Sequence, residues 1–212
     1  MAEGMVGLNT VDDAGVNHMK ERLVIGMSGA SGIPIAVEVL RQLKKIPDIE
    51  SHLVYSKGAE MTICLESDIS LEEIRELADV VYENGNIGTG PASGTFRTTG
   101  MAVVPCSMKT LAGIVSGYSD NLLLRAADVT LKERRKLVLV TRECPLGTIH
   151  LRNMYEASRL GAVIVPPVLS YYNHPETLED CTRHIAGKIL DQFGLEPEGM
   201  KRWGQEEAGK SI

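Results

Sequence analysis

The stretch "VIGMSGASGIPIA", Val24 to Ala36, most constrains how this chain can fold. Leu23 to Met27 is a short apolar run, which suits a buried strand. It breaks into small residues, and from Ile33 to Leu43 apolar residues recur at helical spacing, with Pro34 allowed in the first turn. A strand that turns directly into a helix opens a β–α unit, and the same alternation continues along the chain. Ser51 to Lys57, Met101 to Ser107, Lys136 to Glu143 and "AVIVPPV" (Ala162 to Val168) read as further strands. Between and after them, "GAEMTICLE", "SLEEIRELAD", "MKTLAGIVSG", "LLLRAADVTLKERR", "TIHLRNMYEASRLG" and "TLEDCTRHIAGKILDQFG" read as helices. Ser70 and Glu73 have capping-box spacing, and Gly161 suits a helix C-cap.

This order predicts an α/β fold, a single-domain doubly wound parallel sheet of Rossmann or flavodoxin type. Right-handed crossovers then put every strand's carboxyl end on one edge, where ligands bind. The expected layout is a flexible N-terminal extension at 1–20, one domain at 21–194 and a tail at 195–212. The formal net charge of −6, with no dominant basic stripe, argues against a nucleic-acid partner. No run of roughly 18 apolar residues exists to span a membrane. The start lacks the basic-then-apolar pattern of a signal peptide. Cys64, Cys106, Cys144 and Cys181 form no CxxC pair and no zinc pattern. Free thiols in a reducing cytoplasm are therefore expected.

A glycine-rich first turn attracts an anion, through backbone N–H groups and a helix N-terminus. The spacing of Gly26, Gly29 and Gly32 is GxxGxxG, which fits neither the dinucleotide GxGxxG nor the GxxxxGK[ST] of a Walker turn. Hydroxyls at Ser28, Ser31, Ser56, Ser107 and Thr110 suit a phosphomonoester such as FMN, or they cap helices. Arg142 and Glu143 end a strand on the ligand edge, where Arg offers a fork for phosphate and Glu a proton carrier. Arg134, Arg135 and Lys136 read as a solvated helix end. Glu66 ends a helix against its dipole, for a reason or because it is solvated. His150 and His174 lack metal-ligand spacing, and Tyr171 and Tyr172 line a pocket mouth or pack against one. The long Gly/Ser/Thr-rich loop Glu83 to Gly100 is expected to be functional or disordered.

"GMSGASGIPIA", "YSKGAEMTICLESD", "PASGTF", the block "VPCSMKTLAGIVSGYSDNLLLRAADVTLKERRKLVLVTRE", "IHLRNM", "GAVIVPP" and "YYNHPETLED" together resemble the UbiX-type flavin prenyltransferases. The branch it most resembles is the B subunit of non-oxidative hydroxyarylic acid decarboxylases. The resemblance implies transfer of a dimethylallyl group from dimethylallyl phosphate or diphosphate to reduced FMN, without a metal. The product, prenylated FMN, would serve a UbiD-type decarboxylase. Carried over by motif, Gly29, Ala30, Ser31, Ser56, Ser107, Thr110 and Arg142 would bind FMN. Arg125, Lys132, Arg142, Tyr172 and Lys188 would hold the allylic phosphate, Lys188 standing where many relatives carry Arg. Ser31, Glu66, Glu143 and Trp203 would be catalytic. Relatives assemble as homo-oligomers, often dodecamers, with the site between subunits. Two other functions fit the same fold: an FMN-dependent decarboxylase of a cysteine-derived substrate, and a non-catalytic FMN carrier.

Overall fold

The computed structural model describes residues 20–200 and 202, with two short segments before them. Those segments, β1 (Thr10–Val11) and β2 (Asn17–His18), pair antiparallel. Most of the extension expected at 1–20, and Trp203 of the expected tail, lie outside the described residues.

The body is a six-stranded sheet. In chain order it runs β3 (Glu21–Met27), α1 (Ile33–Leu43), β4 (Ile49–Tyr55), α2 (Lys57–Glu66), α3 (Leu71–Leu77), β5 (Val80–Glu83), a 3-10 turn (Gly90–Ala92) and β6 (Gly100–Cys106). It continues through α4 (Met108–Ser116), α5 (Leu122–Lys132), β7 (Lys136–Thr141), α6 (Thr148–Arg159), β8 (Val163–Ile164) and α7 (Leu178–Asp191). Strands lie in the order β5-β4-β3-β6-β7-β8, all parallel. This is the doubly wound order, with its topological reversal between β3 and β6.

Period-2 alternation in each strand feeds two cores. Leu23, Ile25 and Met27 of β3 join Ala102 and Val104 of β6 beneath α1, α2, α3 and α7. Val24, Met101, Val103, Leu137 and Leu139 point the other way, beneath α4, α5 and α6. Both sheet faces are covered, which is why the strands read as unbroken apolar runs.

The structure has six sheet strands where the sequence suggests five. β5 is a half-exposed edge strand of four residues, short enough to escape a periodicity reading. Ser56 and Lys57 do not extend β4, because Ser56 caps α2 and Lys57 begins it. β8 holds only two residues of "AVIVPPV", since Pro166 and Pro167 have no N–H for a ladder.

Candidate active site

The site forms where β3 and β6 part, one strand sending its chain to α1 and the other to α4. Ser28, fully buried, fastens the two strand ends. Its Oγ donates to the Pro105 carbonyl at 2.8 Å and accepts from the Ser107 N–H at 2.8 Å.

The three spaced glycines have three separate causes. A Cβ on Gly26 would press on the Met101 terminal methyl at 2.8 Å, beneath Leu123. A Cβ on Gly29 would sit 2.8 Å from both the Cα and the carbonyl carbon of Gly58, so two backbones approach directly. Gly32 takes φ +116°, a conformation open to glycine.

Gly32 is also the N-cap of α1, and it supplies no side-chain cap. Glu66 supplies one from the far end of α2. Its Oε2 accepts from Gly32 N–H at 2.9 Å and Ile33 N–H at 3.4 Å. A carboxylate set against its own helix dipole therefore has a reason: it neutralises the positive end of another helix. The first turn fills its anion site with a residue of the same chain.

Two further helix N-termini on this edge face a cleft. Ser56 Oγ accepts from Ala59 N–H at 3.2 Å and caps α2. Ser107 Oγ accepts from Thr110 N–H at 3.3 Å and donates to Thr110 Oγ1 at 3.1 Å, capping α4. Capping and ligand binding are compatible here, because each cap leaves further first-turn N–H groups unpaired within its helix. Gly29, Ser56, Ser107 and Thr110 line a cleft of about 800 Å³, with Lys57, Lys109 and Arg152 at its walls. On the other side of the glycine turn, Ser31, Gly32, Glu66 and Arg142 line a second hollow of about 430 Å³. Pro167 and Leu169 form part of its apolar wall.

The sequence pattern of the Flavoprotein family matches residues 13–188. A probable UbiX-like flavin prenyltransferase of Sedimentibacter hydroxybenzoicus is 57% identical over 182 residues, covering 86% of this chain and 96% of the relative. The chain belongs to the UbiX-like flavin prenyltransferases. Among solved structures, AnUbiX (PadA1) in complex with FMN and dimethylallyl pyrophosphate superposes with a TM-score of 0.86 at 48% identity, covering 89% of this chain and all of that one (100%). A dodecameric FMN-dependent UbiX-like decarboxylase from Escherichia coli O157:H7 gives 0.85 at 52% identity, covering 86% and 98%.

Within this flavin prenyltransferase chain, Gly29, Ala30 and Ser31 form the turn, with Ala30 N–H bonded to the Ser28 carbonyl at 2.9 Å. Arg142 leaves β7 beside β6, its N–H bonded to the Cys106 carbonyl at 3.1 Å, and reaches the hollow that holds Glu66. Glu143 is exposed, and its Oε1 accepts from Cys144 N–H at 3.2 Å. Tyr172 follows the double proline and meets His184 of α7, Oη to Nε2 at 3.4 Å. Lys188 is exposed on α7, one turn beyond His184.

Arg125 and Lys132, expected to share the allylic phosphate at a site between subunits, are engaged elsewhere within their own chain. Arg125 Nε donates to the Ala92 carbonyl at 3.2 Å, and its NH1 pairs with Asp128 at 2.6 Å. Lys132 pairs with Glu133 and borders a recess beside Leu160 and Gly161. That recess lies where the chain enters β7 and β8, whereas Arg142 lies where β7 ends. Six residues at about 3.3 Å each separate the two ends by about 20 Å.

The reading of the 134–136 cations as a solvated helix end is corrected at Arg135. Arg135 is not a solvated cation, since it donates to the carbonyls of Phe96 at 2.8 Å and Gly94 at 2.7 Å. Lys136 donates to the Gln192 carbonyl. Arg125 and Arg135 pin the Glu83 to Gly100 loop, and Phe96 packs on its far side against Arg22 and His52.

Lys57, Lys109 and Arg152 escaped the sequence reading. A signal was there for the lysines: each sits in the first turn of a helix, against the dipole, which needs an anion as Glu66 needed a cation. Asn153, buried on α6 against the same cleft, gave no such signal. His150 caps rather than ligates, its Nδ1 accepting from Gly147 N–H at 3.2 Å. Among the described residues no group of His, Cys, Asp and Glu is placed to hold a metal, and no helix is long and apolar enough to cross a membrane.

Proposed function

We propose that this chain transfers a dimethylallyl group from dimethylallyl phosphate to reduced FMN, making prenylated FMN for a UbiD-type decarboxylase. One observation carries the reading. At a single turn, a cleft built of capped helix N-termini and flanking lysines adjoins an apolar hollow holding one Arg and one Glu. The first suits the phosphomonoester of FMN, through N–H groups and charge. The second suits a flat ring and a five-carbon chain beside ionised groups.

In the transfer, flavin N5 bonds to the allylic carbon as its C–O bond breaks and phosphate leaves with the electron pair. N5 loses its proton; the prenyl C=C bond then takes a proton at its inner carbon as its tertiary carbon bonds to flavin C6, and the C6 proton departs to a base. Arg142 stabilises the negative charge that grows on the leaving oxygen. Tyr172 and Lys188 would add donors to it. Ser31 and Glu66 would border the reacting ring, Glu143 would carry the proton, and Trp203 would shield the allylic cation with its ring face. Arg125 and Lys132 would complete the cage from a neighbouring subunit of a homododecamer, since in their own chain Lys132 lies about 20 Å from Arg142 along the sheet and Arg125 is engaged by the Ala92 carbonyl and Asp128. The four free cysteines accord with a cytoplasmic enzyme.

Protein, reduced FMN and dimethylallyl phosphate, mixed without oxygen, should yield flavin heavier by one isoprenyl unit, with release of phosphate. No adduct with the monophosphate or the diphosphate rejects the proposal. Release of CO₂ from a cysteine-derived substrate would replace it with a decarboxylase. Unchanged behaviour of Glu143→Gln alongside absent adduct would leave an FMN carrier.

A further inference from the structure

Three asparagines line the lysine-flanked cleft: Asn84, Asn121 and Asn153. Two of them are engaged in starting α5. Asn84 Oδ1 accepts from Leu123 N–H at 2.9 Å, and Asn121 Oδ1 accepts from Leu124 N–H at 3.1 Å. Asn153 differs from both. It is 7% exposed, in the second turn of α6, and its amide meets no hydrogen-bond partner among the described residues. Both of its polar atoms nevertheless keep open surface, at a residue that lines the cleft.

Asparagine is a poor helix former, and this one gains nothing by bonding back to its own helix. A buried polar group left without a partner destabilises a fold, so native chains keep few of them. A ligand in the cleft would supply the missing partner.

The chemistry of the amide narrows which part of a ligand that is. FMN is the flavin of this family. It joins a flat ring to a phosphate through a chain of three hydroxyls. On the reading above, the first-turn N–H groups of α2 and α4, with Lys57 and Lys109, receive the phosphate. A phosphate dianion only accepts, so it would oppose the amide oxygen. Each hydroxyl both donates and accepts, as a primary amide does.

We propose that Asn153 binds the hydroxyl chain of FMN, Nδ2 donating to one chain oxygen and Oδ1 accepting from a hydroxyl. The inference rests on the placement of the flavin phosphate in the lysine-flanked cleft, and not on the transfer chemistry.

Asn153→Leu keeps the side chain's bulk and removes both polar atoms. Whole protein titrated into FMN, read by flavin fluorescence, should show Kd raised about tenfold, the worth of one or two neutral hydrogen bonds. The second ligand is a flavin carrying a plain five-carbon phosphate chain, without the hydroxyls. Wild type and Asn153→Leu should bind it equally, within about twofold. Asn153→Ala, free of any new bulk, should repeat both binding results. Without flavin, Asn153→Leu should melt at or above the wild-type temperature, because apolar carbon replaces an amide that had no partner. Lys109→Gln should weaken both ligands by the same factor.

Unchanged FMN affinity in the two Asn153 variants, or an equal loss on both ligands, overturns the inference. So does a flavin-free Asn153→Leu that melts well below wild type at matched concentration, the mark of an amide bonded within or between chains. A Lys109→Gln variant with both affinities unchanged removes the flavin phosphate from the cleft, and this inference falls with it. A wild type that binds FMN and forms no adduct overturns the transfer reading alone.

Discussion

Removing the Glu66 carboxylate should loosen the start of α1 by a calculable amount. Oε2 makes one good bond to Gly32 N–H at 2.9 Å and one marginal bond to Ile33 N–H at 3.4 Å. A hydrogen bond to a charged group contributes about 1.5–3 kcal/mol, and an anion at a helix N-terminus about 0.3–1 kcal/mol, already partly counted in the first figure. Glu66 is half-buried, so its share lies toward the lower end, and Glu66→Ala should cost about 2 kcal/mol. Glu66→Gln keeps an oxygen that can accept from Gly32 and loses the charge, costing about 1 kcal/mol. At about 2–4 °C per kcal/mol for a chain of this length, Tm should fall about 4–8 °C for Ala and about half that for Gln. Calorimetry at matched protein concentration reads the difference. Hydrogen exchange should show the Gly32 and Ile33 amides opening more often in the alanine variant alone. An alanine variant within about 0.5 kcal/mol of wild type, or a glutamine variant equally damaged, would refute the cap.

The glycine turn yields a paired test. Gly29→Ala drives a methyl into the Gly58 backbone and should cost about 1–3 kcal/mol and weaken FMN binding, whereas Gly26→Ala presses chiefly on the terminal methyl of the unbranched Met101 side chain and should cost less than about 1 kcal/mol. Equal losses by urea titration would contradict that ordering. Burial pushes the Cys106 thiol up to about 12, so iodoacetamide at pH 8 should label exposed Cys64 and Cys144 and spare Cys106 until unfolding, read by peptide mass. Burial also lowers the His52 pKa below 6.5, outweighing the raising effect of Glu50. Protonation then favours the unfolded chain: the neutral ring's stabilisation is full above 6.5 and is lost as pH falls through the folded value. His52→Gln should flatten the stability slope on the acid side of 6.5, and an unchanged slope would reject the assignment.

Local pattern carried much of the fold into view, and distance in the chain limited the rest. Ser70 and Glu73 form the capping box their spacing announces, with Ser70 N–H donating to the Glu73 carboxylate at 2.8 Å. Such pairs are legible because both partners fall within one turn. Glu66 and Gly32 are 34 positions apart, so the sequence could show that Glu66 was misplaced without showing what it served. The order of the Glu83 to Gly100 loop was hidden for the same reason. Its composition lacks periodicity, and what orders it comes from elsewhere: Arg125 and Arg135 hold its carbonyls, and the Phe96 ring lies against Arg22, 4.6 Å from the guanidinium. Lys132 and Arg142 of one chain cannot meet. α5 runs against the strands, so Lys132 at its end is carried to the opposite edge of the sheet from Arg142. A sequence motif gives the identity of such residues without saying which copy of the chain brings them.

The internal cap on α1 also shapes what the carboxyl edge can select. Parallel strands deliver the N-termini of α1, α2 and α4 to the same edge, and each is attractive to an anion. If α1 were open as α2 and α4 are, a phosphate could settle at the glycine turn as readily as in the lysine-flanked cleft. Glu66 closes α1 and leaves α2 and α4 open, with Lys57 and Lys109 adding charge that helix dipoles alone would reject. The same carboxylate borders the apolar hollow, where Arg142 supplies the opposite sign. One side chain thus separates an anion-receptive cleft from a hollow where an anion is accepted only beside Arg142. On the proposed reading, a substrate with a phosphate at one end and a reactive ring at the other would thereby be held in a single direction.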